Sequence, residues 1–435
     1  MHILLRGFVF RVIFMGIGFL ISLLIAKLAG ADQFGTLSLM IVNAAFIYII
    51  TGLGTDAAVV WHGTTGENYG RDKIFSFTII TAAIQLSFFY IIAILGYLFL
   101  GHTLLGGSLG LKIFFAEIVY FTGMVIVEKF TSLYYSQHQA KLCNKILAIV
   151  SLILLSAVFI IWLAWPEYIS EDPLWFYSLV TFIPSFVLLI SFFIKFKPSI
   201  KSISEEEYRS FSSFSLIVLI TNIIQFVAFR ADYWIISVYY DHNIVGIYAQ
   251  ASKFAQLLWI IPGILAGLII PALKNEQQKL TESDLLSVTR LSVYMHLLIA
   301  LLLVIVAFVI YSFFLPAEYF NGFYSLLIML PGYLLFIITT LLAAYYSANR
   351  LLKVNLYGSI ICCILIILLD LLLIPALSYK GAAIANLLAY SATTIYFIFR
   401  SMSMMKITFK DLFVIRKNDF SLFSSKVLKS DTQQA

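Results

Sequence analysis

A chain of 435 residues that is 62% hydrophobic and only 11% charged, with a mean hydropathy of +0.99, is too apolar for a soluble domain. Its net charge of +6 is modest, and its three cysteines form neither a disulfide framework nor a metal-ligand spacing. No stretch between the apolar runs is long enough to bury a core, which excludes a soluble enzyme and leaves a multi-pass membrane protein.

Twelve membrane spans are read in order, near residues 8–29, 36–60, 74–100, 113–135, 146–165, 175–195, 213–240, 247–270, 291–314, 323–346, 356–376 and 381–400. The first run, Phe8 to Ala29, is too long for the apolar region of a cleaved signal and is expected to remain as a helix. On it Arg11, Met15, Gly18 and Ser22 fall in line. Arg11 either extends its head to the membrane surface or faces a substrate, while Lys27 lies near the other end. Asp56 closes the second span and reads as interfacial. Glu117, Glu128 and Lys129 in the fourth, with Asp370 in the eleventh, are expected to serve as internal counter-charges.

The connections alternate in charge. Those on one side hold only Lys112 and Lys380, whereas the other side holds 21 basic residues, including Arg71, Lys73, Lys195, Lys274, Lys279, Arg290, Arg350 and the tail lysines. The positive-inside bias therefore puts both termini in the cytoplasm, and it accounts for the net charge without a nucleic-acid partner. The basic, Ser-rich tail 401–435 is expected to lie on the anionic inner leaflet.

A weak repeat pairs "GADQFGTLSLM" after the first span with "DHNIVGIYAQA" after the seventh, and the polar linker 196–212 falls between six spans and six. This predicts an all-α integral membrane protein of two six-helix lobes, 1–195 and 213–400, related by a pseudo-two-fold axis along the membrane normal. A binding site would lie at mid-depth between them.

The seventh span carries "QFVAFRADYWIISVYY", with two opposite charges where each costs about 2.5–3.5 kcal/mol at the bilayer centre. Counting down from Tyr240 at the helical rise, Arg230 is about 15 Å deep and Asp232 about 12 Å. Two residues apart on a helix they point about 160° from one another, so a direct pair is not expected. Thr221, Asn222, Gln225, Asp232 and Tyr239 share an arc of about 100°, which directs Asp232 towards a polar cavity, with hydrogen bonding to another helix as the alternative. Arg230, off that arc, either contacts substrate from the flank or holds an acid on a neighbouring helix. On the eighth span Gly246, Ala249, Gln250, Lys253, Gln256, Gly263 and Gly267 form one small, polar face, read as packing or cavity, and Pro262 offers a bending point. The tyrosine pairs 239–240 and 345–346 at span ends fit an interfacial aromatic belt, with sugar stacking the other option.

The stretch "FRADYWIISVYYDHNIVGIYAQASKFAQLLWIIPGILAGLIIPAL", with Asp232, the "VGIYAQA" turn at Gly246 and Tyr248 and the closing Pro271, resembles bacterial oligosaccharide-lipid flippases. These are the O-antigen and capsular polysaccharide exporters of the multidrug/oligosaccharidyl-lipid/polysaccharide superfamily. "AKLAGADQFGTLSLM" is similar to that family's first turn, and the resemblance runs over about residues 1–400. It implies a V-shaped, two-lobed bundle in the bacterial inner membrane that translocates undecaprenyl-pyrophosphate-linked repeat units for lipopolysaccharide O-antigen or capsule. A polysaccharide polymerase and a chain-length regulator would be its partners.

A diphosphate needs several cationic donors in a low-dielectric site. The substrate-binding set expected from sequence is therefore Arg230 and Lys253 as cations, with Asp232, Asn222, Gln225, Gln250, Gln256 and Arg11 around them. No catalytic residue, cofactor or metal site is expected, and a coupling ion, H+ or Na+, is left open. Three other classes stand against this reading. A cation-coupled multidrug antiporter of the same superfamily would want a more acidic cavity. A membrane polymerase or glycosyltransferase would want larger outer loops, and a structural scaffold would not keep costly charges.

Overall fold

The computed structural model describes residues 2–64, 70–100, 103–105, 110–274, 281–416 and 419. Lys279, Lys417, Lys426 and Lys429 of the charge tally lie outside the described residues. Among the described residues the chain is helical, with no strands. Ten helices are long and apolar enough to cross a membrane. The first of these, Val9–Gly52, has 44 residues, about twice the length one crossing needs, and Gly30 at φ 74° divides it into two crossings. A further 26-residue helix, Leu111–Ser136, is long enough but carries Lys112, Glu117, Glu128 and Lys129. Together they account for the twelve crossings expected from hydropathy.

Two compact units divide within one helix, Ile3–Phe226 and Val227 onward. The first unit contains α1 (His2–Gly52), α2 (Thr55–Thr64), α3 (Arg71–Leu95), α4 (Leu111–Ser136), α5 (Ala140–Ala164), the short α6 (Glu167–Ser170) and α7 (Pro173–Phe196). It also takes the first part of α8 (Glu205–Tyr239). Its core joins Phe75, Phe77, Phe130, Tyr134, Phe192 and Phe211, with the Phe77 and Phe211 rings stacked 4.4 Å apart. Helix α8 starts at Glu205, inside the stretch read as linker, because Glu205, Glu206 and Glu207 occupy its first turn and suit the positive end of the helix dipole. The preceding segment is laid along α3: Ser199 Oγ donates to Asp72 at 2.7 Å, the Lys201 amide to Ser76 Oγ at 2.7 Å, and Lys73 pairs with Glu207 at 2.5 Å.

The second crossing is not the single helix 36–60 expected from hydropathy. It stops at Gly52, passes through Leu53 (φ 50°) and Gly54 (φ 70°), and restarts as α2. A Cβ on Gly54 would sit 2.5 Å from the Ser215 carbonyl oxygen, so both its backbone conformation and its close approach to α8 require glycine. The break brings Asp56 into the first turn of a new helix, where it contacts buried groups instead of ending a span at the interface.

The second unit contains the rest of α8, then α9 (His242–Gln256), α10 (Ile260–Lys274), α11 (Glu282–Val309), α12 (Phe320–Ala348), α13 (Leu352–Leu377), α14 (Tyr379–Met404) and the short α15 (Phe409–Phe413). Helix α12 lies against α14 so closely that a Cβ on Gly332 would come within 2.8 Å of Leu387 Cα. The core centres on Ile337, Ile338, Leu341, Leu342 and Tyr346 of α12 with Phe397 of α14. Helix α11 instead turns Leu298, Leu301, Leu302 and Ile305 outwards at 59–69% exposure, the composition a lipid-facing surface demands.

Two sequence expectations change here, and a third gains a contact. Tyr346 belongs to no aromatic belt: it is fully buried, and its hydroxyl is 2.7 Å from Ser401 Oγ. The small face of the eighth span does not continue along its length. Gly246, Ala249 and Gln250 are buried, but Gly263 and Gly267 have open space around them. Between the two stretches a 3-10 turn, Leu257–Trp259, separates α9 from α10. Pro262 explains its position, since it cannot donate to the Leu258 carbonyl and its ring crowds that group. The tail, finally, docks on protein over its described residues. Buried Arg290 of α11 bonds Asp419 at 2.5 and 2.8 Å and also donates to the Asp411 carbonyl, while Leu412 is fully buried.

Candidate functional site

A group of buried polar residues that joins three helices of the second unit is built on α8. Asp232 is 2% exposed, and its carboxylate accepts from the Tyr248 hydroxyl of α9, from Asn386 Nδ2 of α14 at 3.2 Å and from the Tyr233 amide at 2.9 Å. Asn386 Nδ2 also reaches the Tyr248 oxygen at 2.6 Å, closing a triangle across three helices. The open polar cavity expected at Asp232 is replaced by this network, the helix-to-helix alternative. Burying a carboxylate is costly unless it is hydrogen-bonded, and Tyr and Asn supply neutral donors here.

Asp370 of α13 is fully buried, and neither of its carboxyl oxygens has a hydrogen-bond partner among the described residues. It lies close enough to Asp232 and Tyr248 for their charges to act on one another. It therefore does not meet a base, as a counter-charge would. It makes the unit's second intramembrane acid, beside the first.

Arg230 has the opposite circumstances. Its Nη2 donates to Gln256 Oε1 at 3.0 Å, and its Nη1 lies 3.5 Å from the Tyr233 hydroxyl, with the guanidinium 5.5 Å from the Tyr233 ring centroid. Trp259, Tyr333, Tyr390 and Phe229 form an aromatic wall nearby, Trp259 stacking on Tyr333 at 4.3 Å. No acid hydrogen-bonds Arg230 among the described residues, so the guanidinium, with five donors, retains both charge and unused N–H groups. Lys253, half-buried on α9, is near enough for the two cations to repel. Asp232 is also within electrostatic reach of Arg230, so one acid faces two cations, a balance that leaves room for an anion in a medium of low dielectric.

The other residues expected at the site are scattered. Gln256 holds Arg230 and donates to Ser252 Oγ at 2.7 Å. Gln250 is fully buried, and neither side-chain polar atom finds a partner among the described residues. Asn222 is half-buried and Gln225 exposed, seven or more residues further along α8 from Asp232 and outside its network. Arg11 lies in the first unit, where it lines a cavity with Asp56 and Glu128. In that unit Lys129, 1% exposed, pairs with Asp56 at 3.0 Å and donates to Thr55 Oγ1 at 2.6 Å, and the Tyr48 hydroxyl donates to Asp56 at 2.5 Å. Glu117 serves the backbone instead, accepting from the Leu105 amide at 3.3 Å while Asn43 donates to the Leu105 carbonyl at 2.9 Å.

Tyr248 and Asn386 are hydrogen-bond partners of Asp232 that sequence reasoning did not nominate for the site, although Asn386 is a polar residue inside an apolar run and so carried a signal. The aromatic wall carried none, because aromatic residues are spread over every span.

The fold is that of known transporters. The lipid II flippase MurJ in its inward closed conformation matches with a TM-score of 0.71 at 14% identity, over 94% of this chain and 88% of the other. The MATE multidrug transporter DinF-BH in complex with R6G matches at 0.61 and 14% identity, over 95% and 96%. A MATE protein in the straight conformation matches at 0.62 and 13%, over 93% and 97%. The curated proteins give no match. The sequence pattern described as "polysaccharide biosynthesis protein" matches residues 8–275, more than half of the chain. By that match, over a twelve-crossing fold shared with known transporters, the chain belongs to the polysaccharide biosynthesis protein family.

Proposed function

We propose that the protein moves undecaprenyl-pyrophosphate-linked oligosaccharide repeat units from the cytoplasmic to the periplasmic leaflet of a bacterial inner membrane, by alternating access, for O-antigen or capsule synthesis. The observation that carries this reading is Arg230: a half-buried cation held by a neutral amide, with no acidic hydrogen-bond partner among the described residues and Lys253 beside it. Such a pair suits a diphosphate, whose charge-assisted bonds are strongest away from water. Family membership and the fold shared with a lipid II flippase support it further. The bias of 21 basic residues against 2 supports cytoplasmic termini, an orientation that leaves Arg230 in the outer half of α8. A polymerase and a chain-length regulator would receive the delivered units.

Asp232 and Asp370 supply this cycle with a coupling site. Two neighbouring buried acids with one network of neutral donors fit a proton or a monovalent cation, and binding it would tie α8 to α13. The same acids, with the fold shared with multidrug transporters, favour a second reading, a cation-coupled drug antiporter. Mass spectrometry of the lipid-linked oligosaccharide pool separates the two. In a host lacking the protein, undecaprenyl pyrophosphate bearing one finished repeat accumulates and clears on complementation. An unchanged pool would discard the flippase and direct the next assay to drug efflux.

A further inference from the structure

The Ile3–Phe226 unit holds a cavity of about 490 Å³ lined by Arg11, Asp56, Trp61, Glu128, Thr131 and Tyr135, among others. That volume is within the ~300–1,000 Å³ of small-molecule sites. The cavity exists because the second crossing is broken at Leu53–Gly54: α2 restarts there and sets Asp56 and Trp61 beside α1 and α4. Glu128 is eight residues from the last residue of α4, about 12 Å along the helix, so the cavity occupies the half of the unit next to the basic loops.

Its charges sort into used and unused. Asp56 is engaged by Lys129 and Tyr48. Arg11 contacts the Phe14 ring at 5.4 Å, and it and the Glu128 carboxylate attract one another across the cavity without a hydrogen bond or close ion pair between them. The cavity thus offers one free donor fork, one free acceptor and the hydroxyls of Thr131 and Ser132. It also offers the rings of Tyr135 and of Trp61, the latter 44% exposed. Counting Lys129 with its partner Asp56, the charges balance. A balanced pocket gains nothing from a double anion, and its charge density repels an isoprenoid. A pyranose matches it: hydroxyls that both give and accept meet a guanidinium and a carboxylate, and the C–H face of the ring lies on an indole.

We propose that this cavity is the sugar-recognition subsite of the transporter, with Trp61 as the stacking platform and Glu128 and Arg11 reading ring hydroxyls or an amino–carboxylate pair on the sugar. This rests on the flippase reading and adds to it a division of labour: the second unit binds the diphosphate and the first unit reads the sugar. The experiment compares two probes on purified protein in nanodiscs, the lipid-linked repeat unit extracted from a host lacking the protein and bare undecaprenyl pyrophosphate. Wild type binds the sugar-bearing lipid more tightly. Trp61→Ala and Glu128→Gln each cut that preference about tenfold, and Trp61→Phe recovers most of it, since about tenfold corresponds to one good hydrogen bond or stacking contact. A preference unchanged in both variants, or lost equally in Trp61→Phe and Trp61→Ala, overturns the subsite. In either case Arg230→Ala, weakening both lipids alike, keeps the flippase reading standing. Wild-type protein that binds neither lipid overturns both.

Discussion

The two units each carry a base and an acid into the membrane and neutralise them by different means. In the first, Lys129 and Asp56 meet directly at 3.0 Å, and the pair is finished by Thr55 and Tyr48. In the second, Asp232 is bound by the neutral donors Tyr248 and Asn386, and Arg230 by the neutral acceptor Gln256. A direct pair consumes both charges and holds helices together. A charge solvated by neutral dipoles stays a charge, available to whatever enters. The comparison separates structural ionisable residues from working ones without reference to their depth.

Arg230→Ala tests the working side most severely. Surface polysaccharide is expected to vanish while the protein stays at its normal level in the membrane, measured by glycan staining beside an immunoblot. Normal polysaccharide would place Arg230 among the structural charges. Lys129→Ala tests the other side: an uncompensated Asp56 is expected to destabilise the protein by about 3 kcal/mol, with a lower melting temperature in detergent. The double variant Lys129→Ala, Asp56→Ala should recover much of that loss. Additive losses would mean that the pair is not the unit of stabilisation.

Asp370→Asn sharpens the contrast from within the second unit. Transport in vesicles is expected to lose its dependence on the driving ion gradient while binding of the lipid substrate persists. A gradient dependence equal to that of wild type removes Asp370 from coupling. The smallest effect is expected at the tail. Hydrogen bonds from Arg290, above all, hold the Asp419 carboxyl well below its ordinary pKa. A carboxylate lowered in the folded state contributes stability above its unfolded pKa and loses it as pH falls through the folded value. The strap is thus complete at neutral pH and releases only below the usual carboxylate range. Asp419→Asn should free the tail to limited proteolysis at pH 7, and a cleavage pattern like that of wild type would show that the ion pair does not hold it.

Much of this was legible in the residues. Apolar run lengths and the one-sided distribution of Lys and Arg set the crossings, because lipid imposes both directly. The opposed directions of Arg230 and Asp232 followed from helical geometry alone, and no bond between the two is present. The break at Leu53–Gly54 was obscured by hydropathy, which averages over a window longer than a turn, although Gly52 and Gly54 marked it. The identities of partners were not legible: that Asp232 meets Tyr248 and Asn386, 16 and 154 residues away, depends on how three helices pack. The seat of the tail was not legible for a related reason. The tail's basic charge suggested the leaflet, but Leu412 and Asp419 had a hydrophobic seat and a buried arginine waiting on α11.

The 3-10 turn at Leu257–Trp259 gives α9 and α10 different mechanical roles. Above it, Tyr248 is fastened to α8 and α14 through Asp232 and Asn386, so those three helices form a truss that moves as one piece. Below it, Gly263 and Gly267 have nothing within 4 Å of where a Cβ would stand, while Leu265, Ala266 and Ile269 hold the opposite side of α10 in the apolar core. The proline-tightened turn thus joins a stretch fastened by hydrogen bonds to one seated by apolar packing alone, and Trp259, stacked on Tyr333, marks the seam.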